Sequence, residues 1–100
     1  MSEIKNGVPL RFKNKVYAVN PVFELVREIE HELGGIAELE ERFADMSWEV
    51  SDLVTLIHMM LQAAGETVDY LSLGNAMLKE GLGRYLSSAQ SFLRLVLHAG

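Results

Sequence analysis

"NPVFELVREIEHELGG", residues 20–35, is the stretch that decides the fold. Asn20-Pro21 reads as a helix start, because Asn accepts from free backbone N–H groups and Pro fits a first helical turn. Val22, Leu25, Val26, Ile29 and Leu33 then recur at helical spacing on one face. Gly34-Gly35 stops the helix, since glycine takes the left-handed cap at little cost. A one-sided helix of this kind must bury its apolar stripe against something.

The residues downstream supply that partner. A short helix follows with Ile36, Leu39 and Phe43 on one side. Ser47 is expected to cap a third helix, whose stripe is Val50, Leu53, Val54, Ile57, Leu61 and Ala64, closed by Gly65. A fourth is predicted from about Asp69 to Glu80, with Tyr70, Leu73 and Met77 inward and Gly81 as its stop. A fifth runs from about Leu82 to His98, with Leu82, Tyr85, Leu86, Ala89, Leu93 and Val96 inward.

Upstream the pattern changes to period two. "VPLRF" alternates Val8, Leu10 and Phe12, and "KVYAV" follows after Lys13-Asn14. Asn14 tolerates the left-handed backbone of a tight turn. A β-hairpin over 8–12 and 15–19 is expected, with Pro9 on an edge because it lacks an N–H. A lone hairpin is marginal in water and must pack on the helices. The expected class is mainly α (α+β), a short N-terminal β-hairpin on a bundle of four to five helices. Residues 1–7 are expected to be flexible, and 8–99 to form one domain.

Composition bounds the function. The chain has 100 residues, 49% of them hydrophobic, enough for one modest core. The net charge of -5 argues against nucleic acid and against anionic membrane surfaces as partners. There is no cysteine, which removes disulfides, thiolate nucleophiles and Cys-ligated zinc. No charged n-region followed by an apolar run opens the chain, and no apolar run is long enough to span a bilayer. A soluble, cytoplasmic protein is expected.

His31-Glu32 resembles the start of the zinc-protease motif HExxH, and Glu28 with His31 makes the Glu-x-x-His spacing of di-iron bundles. The second zinc histidine would fall at Gly35, where the helix has stopped. The di-iron pattern needs a second Glu-x-x-His pair, yet Thr55 and Leu95 stand three positions before His58 and His98. Glu28, Glu30, His31 and Glu32 therefore read as a solvated helix face. A metal-dependent hydrolase built from Glu28, His31 and His58 is the rival reading. Ser87, Ser88 and Ser91 lie in no G-x-S-x-G elbow, and Gly74, Gly81 and Gly83 have no phosphate-loop spacing. His58, among apolar neighbours, reads as a core-edge residue with a satisfied partner. No catalytic residue, cofactor or metal is expected.

The third helix carries more apolar surface than its stripe needs, which fits either a central helix packed on several sides or a partly exposed Met-rich groove. Leu56, Met59 and Met60 lie off that stripe, and methionine repacks readily around varied apolar partners. These three are the expected protein-binding residues. Should charged substitutions at Met59 and Met60 leave both the fold and client binding intact, the hairpin face around Phe12 and Tyr17 is next.

The order of segments, and the run Asn20-Pro21-Val22-Phe23-Glu24-Leu25-Val26-Arg27-Glu28-Ile29-Glu30-His31-Glu32-Leu33-Gly34, resembles a family of tail proteins from gene transfer agents and tailed phages, the tail assembly chaperone or tail tube proteins. The matching positions are Pro21, Phe23, Glu28, Ile29, Glu30, Leu33 and Gly34, followed by Asp52-Leu53, Ala64-Gly65 and, where the family has E-x-G, Lys79-Glu80-Gly81. Asn20 departs from the Arg usual there, and the third helix is more Met-rich. The resemblance covers about residues 8–97 and implies a non-enzymatic phage or prophage tail assembly chaperone. Its client would be apolar helical segments of a tape measure protein or another tail protein, with a homo-oligomer possible. A structural tail tube or minor tail subunit is the alternative.

Overall fold

The computed structural model describes residues 7–98, so most of the stretch expected to be flexible, 1–7, lies outside the described residues. Its elements are β1 (Val8–Phe12), β2 (Lys15–Val19), α1 (Phe23–Leu33), α2 (Ile36–Ala44), α3 (Val50–Ala63), α4 (Tyr70–Glu80) and α5 (Leu82–His98). This is the α+β arrangement expected from the sequence, with both strands at their expected bounds.

The strands pair antiparallel with Val8 opposite Val19, Leu10 opposite Tyr17 and Phe12 opposite Lys15. Strand residues two apart share a face, so Val8, Leu10 and Phe12 all turn inward and are buried. β1 lies on α5 and β2 on α3. The Ser88 hydroxyl donates to the Pro9 carbonyl at 3.2 Å, tying α5 to β1. At the turn, Lys13 rather than Asn14 takes the positive φ, at 58°.

Helix boundaries are set by caps that the linear pattern only partly shows. Asn20-Pro21 precedes α1 without capping it: the N-cap is Val22, with no side-chain cap bond. The Asn20 carbonyl instead accepts from Val22 N–H at 2.9 Å, which leaves Val22 outside the helix and exposed. Ser47 does not start α3. Its hydroxyl donates to the Arg42 carbonyl at the end of α2, while the Asp52 carboxylate accepts from Glu49 N–H at the start of α3. Asp69 caps α4 by accepting from Ser72 N–H at 3.0 Å. α3 ends as expected at Gly65, which has φ 96°. Gly65 N–H donates to the Gln62 carbonyl and Glu66 N–H to that of Leu61, the paired bonds of a Schellman turn.

α3 is the centre of the molecule. It packs against α1, α4, α5 and β2, so no one stripe describes its buried surface. Leu53, Val54, Ile57 and Leu61 are buried as expected. Leu56 and Met60 are buried too, both 0% exposed, which corrects their placement on a surplus outer face. Val50, expected inside, is exposed because it opens the helix before the packed turns begin. Phe43 and Leu39 of α2 and Tyr85, Ala89, Phe92 and Leu93 of α5 complete the core.

Candidate protein-binding site

Of the residues expected to bind a partner, Met59 alone keeps access to solvent. Leu56 and Met60 turn into the core, and Met59 stays half-buried between α3 and α1. There it lines a groove of about 630 Å³ together with Arg27, Glu28, His31 and Glu32 of α1 and Thr55, His58 and Gln62 of α3. A second depression, lined by Val22, Glu24, Leu25 and Ala63, shares Glu28, Met59 and Gln62 with the first. The two form one trough along the α1–α3 seam, with Met59 and Leu25 at its base and carboxylates on its α1 side.

The alternate site, the hairpin face, offers less. Phe12 is buried, and Tyr17 is half-buried with its hydroxyl donating to Glu66 at 2.7 Å. Other exposed apolar side chains were not singled out by the linear pattern. Phe23 is 78% exposed beside Val22 at the start of α1, and Leu71 and Leu78 stand out from α4. The signal for Phe23 was its position opposite the Leu25–Ile29 stripe; for the two leucines it was their seven-residue spacing away from Leu73 and Met77.

The residues of the metal-enzyme reading share the groove without converging. Among the described residues no three His, Asp or Glu side chains group as a metal ion requires. His58 is held otherwise: its Nε2 lies 2.8 Å from the Val68 carbonyl, and its ring meets Tyr70 edge-on at 5.6 Å between centroids. A carbonyl only accepts, so Nε2 carries the proton in that bond. Glu28, His31 and Glu32 are exposed, as a solvated face requires. Glu30 has a role that spacing alone did not show. Its carboxylate accepts from Ile36 N–H at 3.0 Å and so caps α2 across the Gly34-Gly35 break.

Among the described residues, no helix is long and apolar enough to cross a membrane. A family model described as phage tail tube protein, GTA-gp10, matches residues 6–99. The chain belongs to this phage tail family. No curated protein and no solved structure matches it. The family match bears out the tail-protein resemblance carried by the Pro21–Gly34 run, and it spans the hairpin, all five helices and the trough. Other tail proteins are thus the class of partner the family points to.

Proposed function

We propose that this tail-family protein is a non-enzymatic tail assembly chaperone of phage or prophage origin, acting in the bacterial cytoplasm. It holds an apolar helical segment of a tape measure protein until the tail is built. The observation that carries this reading is apolar surface beside the trough that the finished core does not use. Val22 lines one end of it and is 53% exposed, and Met59 lies half-buried at its base. Burying such side chains contributes about 1.5–3 kcal/mol each before ordering costs. Co-expression with the tape measure protein tests it. Soluble tape measure that co-purifies with the chain supports the reading; tape measure that stays insoluble with and without the chain overturns it.

A structural tail subunit is the second reading. The family's own description as tail tube protein favours it, as do Leu71 and Leu78 on α4, exposed by 73% and 59%. A subunit of this kind assembles from copies of itself, and negative-stain microscopy of the purified chain would show rings or tubes.

A further inference from the structure

We infer that the α1–α3 trough takes an amphipathic helix whose flank carries lysines or arginines. This rests on the client-binding reading and adds the chemistry of the segment bound. The occupant is fixed by charge. Glu24, Glu28 and Glu32 recur every fourth residue along α1, all exposed, and each borders one or both halves of the trough. The ion pairs among the described residues, Arg42–Asp52 and Arg94–Glu40, involve none of them. Like charges four apart on a helix repel one another, so the ladder disfavours α1 until a cation sits beside it.

Against those three carboxylates the trough holds one guanidinium, Arg27. His31 and His58 also face it, His58 already engaged by Val68. The ladder spans about 12 Å at the helical rise of 1.5 Å per residue, a little over two turns. A partner helix lying along the seam matches it with basic side chains at the same four-residue interval. Its apolar anchors, three and four residues apart, then meet Met59, whose flexible thioether adapts to different side chains. An extended strand does not present both features on one side at that repeat.

The test is a fluorescence anisotropy titration with two designed probes, a leucine–lysine amphipathic helix and the same helix with glutamate for lysine. The protein is used as wild type and as two charge-matched variants. Glu24→Gln/Glu28→Gln/Glu32→Gln neutralises the ladder. Glu38→Gln/Glu41→Gln/Asp45→Asn removes the same charge on and just after α2, outside the trough. The wild type is expected to bind the lysine probe and not the glutamate probe, with affinity falling as salt rises. The ladder variant should lose at least about tenfold in affinity and most of the salt dependence, and the α2 variant about twofold or less. Equal binding of both probes overturns the inference, as does equal loss in the two variants or retained affinity in the ladder variant. Circular dichroism of each variant shows whether the helices are kept. Tape measure co-expression separates this inference from the reading beneath it. If the ladder variant solubilises the tape measure as well as wild type does, the chaperone reading stands and the basic-helix inference falls. If the wild type does not solubilise it, the chaperone reading falls and the titration alone decides what the trough binds.

Discussion

The Tyr17 hydroxyl donates to the Glu66 carboxylate at 2.7 Å, joining β2 to the turn that follows α3 across 49 residues of sequence. Among the described residues the hairpin has no other sheet to rest on, so such side-chain ties hold it to the helices along with its buried face. The carboxylate also pushes the Tyr17 phenol pKa above its ordinary value, through the hydrogen bond first, then burial and the like charge that ionisation would create. Tyr17→Phe is expected to lower the urea midpoint without changing the slope. Amide exchange should quicken in 15–19 before it does in α3.

Glu66 reaches Tyr17 because the chain reverses at Gly65. With φ at 96° and nothing within 4 Å of a Cβ placed there, Gly65→Ala meets backbone strain rather than a clash. The expected loss is about 1–2 kcal/mol, the cost of a left-handed L-residue. Thermal unfolding of the variant checks it, and an unchanged midpoint would show that the turn relaxes.

Tyr85 supplies a pH limit. Its ring is 0% exposed in the core, and its hydroxyl donates to Glu80 at the end of α4. Burial raises its pKa first, and the Glu80 bond and charge raise it further, well above the ordinary 10.0. The folded chain then keeps a proton that the unfolded chain releases. Stability from this group is complete below about pH 10 and falls as pH rises beyond it. Tyr85→Phe should flatten much of that decline in urea midpoints measured from pH 9 to 11, a range about the model-compound value. An equally steep decline in the variant would assign it to other groups.

The gross fold was legible because its signals are local. Period-two alternation gave the hairpin, and Gly34, Gly65 and Gly81 ended three helices where glycine's positive φ was needed. Caps were less legible, since a cap is a hydrogen bond and not a residue type. Ser47 and Asn20 had the right chemistry, but Asp52 from inside α3 and Glu30 from across a break did the work. The site was least legible. Whether Leu56 and Met60 face solvent depends on how many neighbours α3 has, and those come from both sides of it in sequence, α1 and β2 before and α4 and α5 after.

That difference separates two adjacent methionines. Met60→Ala opens a cavity in a packed core and should cost about 2–5 kcal/mol. Met60→Asp should prevent folding, because it buries a charge without a partner. Met59→Ala removes a half-buried side chain and should cost clearly less. The single tryptophan, Trp48, packs against Phe43 at 5.6 Å and reports unfolding by its fluorescence. Equal losses for Met59→Ala and Met60→Ala would place Met59 in the core and remove it from the trough.

Leu71 and Leu78 stand seven residues apart on α4, nearly two full turns, and so share its outer side. They have Asn75 between them, which is exposed and polar. A stable contact between copies buries about 1,000 Å² or more in total, and a ring or tube repeats it at every junction. Two leucines interrupted by Asn75 are a small part of such an area. The chaperone reading therefore expects a monomer at micromolar concentration by sedimentation velocity. Leu71→Ser/Leu78→Ser should leave that mass and tape measure solubilisation unchanged. It should lower the thermal midpoint only slightly, since serine is roughly 0.5 kcal/mol worse than leucine in a helix. If the wild type instead sediments as a large ring that the double variant dissolves, α4 is a subunit contact and the structural tail reading replaces the chaperone.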